Sequence, residues 1–172
     1  MATFVLVHGG GHGGWCYKFV SERLRAKGHL VHAPSLTGLG ERSHLMSPDI
    51  NLDTHITDIV SMLEYEDLRD VIIVGHSYGG MVITGVADHA SDRIGHLVYL
   101  DAANPVNGQS LVDVAGPMME MARNMGEVRD GIELVLLPEK TQPQFFGVTD
   151  PDQVAWMQAK LSPHPWACFA QP

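Results

Sequence analysis

The run VIIVGHSYGG, residues 71–80, holds a single serine with a glycine two positions away on either side. Gly75-His76-Ser77-Tyr78-Gly79 follows the pattern G-x-S-x-G, after an apolar run of strand length and before residues of helical period. In that setting the spacing has a physical meaning. A nucleophilic serine has to sit on a sharp turn with strained backbone angles, so the residues two positions away must be small. The turn lifts the hydroxyl clear of the sheet and brings the first amides of the new helix toward the reacting carbonyl. The competing reading of Ser77 is a helix cap in a glycine-rich turn.

A second loop bears on the first. HGGGHGGW, residues 8–15, follows the first strand-like run. A tetrahedral oxyanion needs two converging backbone N–H donors, and residues without side chains let a substrate approach that backbone. The amides of Gly10 and Tyr78 are the expected pair. Gly9, Gly11 and Gly14 also satisfy G-x-G-x-x-G, the pattern of a dinucleotide site. That site calls for an acid near the end of the second strand to hold the ribose, and His32, Ala33, Pro34 and Ser35 stand there instead. No cofactor is expected.

The elements that must position these loops alternate along the chain. Strand-like runs lie at 3–8, 29–34, 70–76 and 94–102, separated by segments of helical period. In the first helical segment Trp15, Phe19, Val20 and Leu24 share a face; in the second, Leu52, Ile56, Ile59, Val60 and Leu63 form a stripe that Asp53 is placed to cap. This order predicts an α/β fold, a parallel sheet with right-handed crossovers and helices on both faces. The pattern breaks at Pro105. Residues 105–165, rich in Met, Pro and Gln, are expected to be a helical insertion over the strand ends, with 1–104 as the core and 166–172 a return to it. The Met118, Met119, Met121, Phe145, Phe146 and Trp156 side chains are expected to wall an apolar pocket or pack within that insertion.

Composition narrows the function. Eleven basic against 20 acidic residues leave a formal charge of −9, which opposes binding to phosphate backbones or anionic lipid. The N-terminal apolar run has no basic segment before it and is too short for a secretory signal. Cys16 and Cys168 lack metal-ligand spacing and read as reduced thiols of a cytoplasmic protein.

The quoted segments, together with PSLTGLGERS, LDTHITDIV and LVYLDAANP, resemble the α/β-hydrolase superfamily. The branch resembled is that of small esterases, which includes plant methyl-salicylate esterases and hydroxynitrile lyases. The resemblance spans most of residues 3–105. It implies Ser77 as nucleophile and an apolar or aromatic ester as substrate. It also implies an acid and then a histidine on later loops. The hydroxynitrile lyases carry a hydroxyl residue where this chain has Gly9, which favours the hydrolase; a non-catalytic small-molecule binder is the alternative from another class.

The base is the open point. Among 10 histidines, His76 adjoins the serine but is expected to point away from it, and His8 and His12 are expected to line or fix the glycine loop. His29, His32, His55, His89 and His96 fall within helical or strand segments, and His44 in a loop. His164 is the one late histidine, and Asp101, ending the strand after the nucleophile strand, is an in-chain candidate acid. The acid and base are expected to lie beyond residue 172, which leaves strand 94–102 open to pair with a further segment or another copy.

Overall fold

A computed structural model describes residues 1–172. Four strands, β1 (Thr3–Val7), β2 (Leu30–His32), β3 (Val71–Ser77) and β4 (Ile94–Ala102), form a parallel sheet in the order β2-β1-β3-β4. Three helices lie between them: α1 (Lys18–Ala26), α2 (Leu52–Tyr65) and α3 (Gly79–His89).

Both faces of the sheet are covered, because successive residues of its central strands are apolar and point to opposite faces. Val5, Val7, Val71 and Ile73 are buried in the large core with Ile56, Ile59 and Leu63 of α2 and Val82, Ile83 and Val86 of α3. Leu6 and Val31 turn the other way and pack with Tyr17 and Leu24. At the open edge, β4 pairs only with β3, and Leu97, Val98 and Leu100 are exposed.

Two local expectations are corrected. The face of the first helix turned to the sheet carries Tyr17, Ser21 and Leu24, while Phe19 and Val20 are exposed. Trp15 and Phe19 pack instead on Trp156, with ring centroids 5.2 and 5.7 Å away, so their apolar surface meets a residue distant in sequence. The cap of α2 is Asn51, not Asp53: its side chain accepts the Thr54 N–H at 3.1 Å, and the Thr54 hydroxyl accepts the Asn51 N–H at 3.3 Å. Asp53 falls in the first turn, where a carboxylate still opposes the helix dipole favourably.

Beyond Pro105 the expected helices are present: α4 (Leu111–Ala115), α5 (Pro117–Asn124) and α6 (Pro151–Gln158). A small antiparallel sheet, not expected, joins them: β5 (Glu127–Arg129), β6 (Ile132–Val135) and β7 (His164–Pro165), followed by α7 (Ala167–Ala170). Asp130 and Gly131 turn the β5–β6 hairpin with φ of 50° and 79°, the paired left-handed conformations that a two-residue hairpin favours. Leu111, Met119, Val135, Trp166, Cys168 and Phe169 are buried in the same core as the helices of the parallel sheet. No helix is long and apolar enough to cross a membrane.

Candidate active site

Ser77 ends β3, and α3 begins two residues later. Its φ is +52°, a left-handed conformation rare for a residue with a side chain, and its side chain lies in an exposed position. Strain of this kind costs about 1–3 kcal/mol and persists only where the surroundings enforce it. Here the glycines allow it: a Cβ on Gly75 would lie 2.5 Å from Gly79 O, and one on Gly79 would lie 2.6 Å from Val7 O. The Ala103 N–H donates to Ser77 O at 3.0 Å and ties the turn to the chain after β4.

The glycine loop arrives from β1. A Cβ on Gly9 would stand 3.0 Å from Ser77 Cβ and 3.2 Å from His76 Nδ1, so the loop backbone lies against the serine. Outside helices and strands, neither Gly10 nor Tyr78 donates its N–H to any acceptor in the chain, although both residues are buried. Sequence and structure thus bring Ser77, Gly9–Gly10 and Tyr78 to one place.

Histidines surround this loop. His8 Nε2 accepts the Leu36 N–H at 3.0 Å, which puts the proton of the neutral ring on Nδ1, 2.8 Å from Gly9 O. His12 Nδ1 lies 2.7 Å from Gly10 O and donates to it. His12 is stacked on Trp15 and meets Phe146 edge-on at 5.0 Å. Burial drives the His8 ring down to about 3, and lowers His12 for the same reason.

His164, the late histidine, is fully buried, and its one hydrogen bond is to the glycine loop and not to Ser77. Its Nδ1 accepts the Gly11 N–H at 3.2 Å, and its ring stacks on Phe169 at 4.3 Å. Burial first, then the neighbouring histidines, keep it well below its ordinary range. Asp101, at φ +45°, is exposed at the end of β4, and the group it influences is His76, whose imidazolium it favours against a larger opposing effect of burial. Of the residues expected to wall a pocket, Phe146 and Trp156 meet the loop's His12 and Trp15; Met119 is buried, and Met118, Met121 and Phe145 are largely exposed.

A second layer behind the loop carries no sequence signature. His55 is fully buried: the Tyr78 hydroxyl lies 2.9 Å from its Nδ1, and its Nε2 donates to Thr37 O at 2.9 Å. Thr37 is in turn held by Asp58, which accepts its N–H at 2.6 Å and its hydroxyl at 2.7 Å. His55, His164 and Cys168 place potential metal-ligand atoms within 4.8 Å of one another. Both nitrogens of His55 and Nδ1 of His164 are already hydrogen-bonded, and burial holds the Cys168 thiol up at about 12, so this trio suits a neutral packed network better than a cation.

Comparison with known proteins fits this geometry. A sequence profile described as "Alpha/beta hydrolase family" matches residues 4–172. The chain is 56% identical over 112 residues to a carbendazim hydrolyzing esterase of Nocardioides sp., covering 65% of this chain and 46% of that one. It is 35% identical over 112 residues to putative methylesterase 11, chloroplastic, of Arabidopsis thaliana, covering 64% of this chain and 29% of that one. It thus spans about half the length, or less, of these curated relatives. An extracellular alpha/beta-hydrolase from a Paenibacillus species superposes with a TM-score of 0.81 at 27% identity, covering 100% of this chain and 70% of that one. An Arabidopsis methylesterase gives 0.75 at 28%, covering 98% and 69%.

Proposed function

The chain belongs to the alpha/beta hydrolase family, and from that footing we propose that Ser77 is the nucleophile of a carboxylic-ester hydrolase. Ser77 Oγ attacks the ester carbonyl and passes its proton to the histidine of a relay, which returns it to the leaving alcohol. The oxyanion accepts hydrogen bonds from the amides of Gly10 and Tyr78. It then collapses, the alcohol leaves with a proton, and water hydrolyses the acyl-serine. In this reading the relay's acid and histidine come from chain outside residues 1–172; His8, His12, His55 and His164 each make hydrogen bonds elsewhere.

The observation that carries this reading is the exposed, left-handed Ser77 standing against a glycine loop, flanked by two buried amides without an acceptor. The esterase and methylesterase relatives support an ester substrate, and the aromatic group of Trp15, Phe146 and Trp156 supports an apolar or aromatic one. A cytoplasmic setting, supported by two free thiols, and a helical insertion at 105–165 belong to the same reading.

Two measurements test it. Hydrolysis of a 4-nitrophenyl ester and covalent capture by a 4-nitrophenyl phosphonate are expected to vanish together in Ser77→Ala. Without a complete relay the site retains about 10³–10⁴-fold catalysis over water from oxyanion stabilisation and binding, so the phosphonate adduct, read by intact mass, is the more sensitive arm. An adduct on a residue other than Ser77 refutes the proposal. Tight binding of apolar esters with no adduct, in a chain that also carries the relay histidine, establishes a non-catalytic binder instead.

A further inference from the structure

We propose that the direction of the Gly10 N–H is set by three histidines, His8 and His12 from within the glycine loop and His164 from outside it, with residues 162–169 bringing His164 in as a positioning residue. This rests on the oxyanion role given to Gly10 above.

The geometry follows from the planarity of the peptide unit. In a trans peptide the C=O and the next N–H point in opposite directions, so holding one fixes the other. His8 holds Gly9 O, and this turns the Gly10 N–H away from His8. His12 holds Gly10 O, and on the far side of the same plane the Gly11 N–H meets His164 Nδ1. Two successive planes are therefore tied, the second at both ends. The only N–H of the two left without a partner is that of Gly10.

The late segment grips the loop at several points. The Ser162 N–H donates to Gly11 O at 2.9 Å, while Ser162 Oγ accepts the Gly40 N–H at 3.0 Å. Phe169, stacked under His164, fills the space over Gly10, where a Cβ would come 2.9 Å from its ring. Glycines have the widest backbone freedom of any residue, and Gly11 sits at φ +70°; without outside ties such a run would sample many peptide orientations.

Each histidine has to stay neutral with one tautomer for this to work. Burial disfavours the imidazolium of all three. The Leu36 N–H fixes the tautomer of His8, and the Gly11 N–H fixes that of His164. The consequence for His164 is a proton on Nε2, which is buried without a partner. An orphaned buried donor is costly. Its retention fits a ring kept for what Nδ1 does.

The test compares His164→Phe and His164→Asn with the parent chain, with Ser77→Ala as control. Phe keeps the stack on Phe169 and removes both the acceptor and the orphaned donor; Asn puts an acceptor oxygen where Nδ1 stood. The readouts are the rate of Ser77 phosphonylation by a 4-nitrophenyl phosphonate, amide hydrogen exchange at Gly10 and Gly11, and thermal unfolding. Losing an oxyanion donor outright costs about 10²–10³ in rate, so loosening one is expected to slow phosphonylation about tenfold in His164→Phe. His164→Asn is expected to recover to within about threefold of the parent rate, the acceptor having been restored. The Gly11 amide should lose protection in Phe and keep it in Asn.

A folded His164→Phe that reacts at the parent rate overturns the proposal, as does a folded His164→Asn that is as slow as Phe. Labelling of Ser77→Ala at the parent rate instead refutes the function assigned to Ser77, while an unlabelled parent reflects the want of a relay histidine. The clamp is then judged by exchange alone, and equal Gly11 protection in all three chains overturns it. Should the Phe variant not unfold cooperatively, the rate and exchange of the Asn variant decide.

Discussion

Replacing Ser77 by alanine and by glycine separates the chemistry of the hydroxyl from the strain of the turn. Both variants lack the proposed nucleophile, so both are expected to lose phosphonylation. They differ only in whether position 77 carries a Cβ at φ +52°. A left-handed conformation costs an L-residue about 1–2 kcal/mol that glycine does not bear. Against this, glycine widens the unfolded ensemble, which costs about 0.4–1 kcal/mol relative to alanine. The difference leaves Ser77→Gly about 0.5–1 kcal/mol more stable than Ser77→Ala, the reverse of the order at an ordinary helix or strand position. The direction is reinforced by Gly9, whose backbone lies against Ser77 Cβ. For a domain of this size, about 1 kcal/mol moves the melting temperature by about 2–4 °C, so the gap is resolvable by calorimetry or by circular dichroism in parallel melts. Urea unfolding at 25 °C gives the same comparison without extrapolation over temperature. An alanine variant that matches or exceeds the glycine variant in stability would show that the turn is not strained, and would remove the main structural reason to regard Ser77 as a nucleophile.

Three further outcomes follow from the same structure. Acid should destabilise the fold: His8 carries a folded-state value near 3 against an ordinary 6.5, so below 6.5 the unfolded chain binds a proton that the native one refuses. The stability that His8 contributes is thus whole above 6.5 and is lost at about 1.4 kcal/mol per pH unit as pH falls toward 3. His12, His55 and His164, also lowered by burial, add in the same direction, and a urea midpoint that is no lower at pH 5.5 than at pH 7.5 would contradict this. Asn51→Ala should cost about 1 kcal/mol by removing the α2 cap and its reciprocal bond, read as a lower urea midpoint, with Asp53→Ala costing less. Gly80→Ala should fail to yield folded protein, because its Cβ would be driven into the Ala103 carbonyl, a backbone group that no side-chain rotation can move; a soluble, cooperatively melting variant would refute that packing.

The parallel sheet was legible because its signals are local. Buried strands such as 71–77 read as nearly continuous apolar runs, and the helices between them carry their stripes at fixed spacing. Even so, the outward turn of Phe19 could not be read, since an apolar face does not say whether it meets the sheet or Trp156. The β5–β6 hairpin is a different case. Asp130-Gly131 between Val128 and Ile132 is a hairpin signal of the strongest short-range kind, and it was present in the sequence. The helical insertion expected over residues 105–165 leaves no place for it.

The serine turn and the glycine loop were legible for a stricter reason. A backbone forced into a rare conformation, or brought against another backbone, tolerates almost no residue but glycine, so the geometry is written directly into residue type at Gly75, Gly79 and Gly80. The histidines obey no such rule. An imidazole can be base, ligand, surface group or buried hydrogen-bonding strut, and which of these it is depends on partners supplied from elsewhere. His164 meets Gly11 across 153 positions of sequence, and His55 meets Tyr78 across 23. Their hydrogen bonds to loop backbone and to the Tyr78 side chain place them with the scaffold around the amides. The site as proposed is therefore divided unequally along the chain: the Ser77 hydroxyl, its proposed donors and the His8 and His12 ties are short-range features, whereas the tie to the Gly11 peptide is imported from residues 162–169. A truncation that removed those residues would leave G-x-S-x-G and HGGG intact in sequence while freeing the Gly11 peptide on both sides. By this reasoning, the late segment contributes to the oxyanion site through backbone order and not through a proton relay.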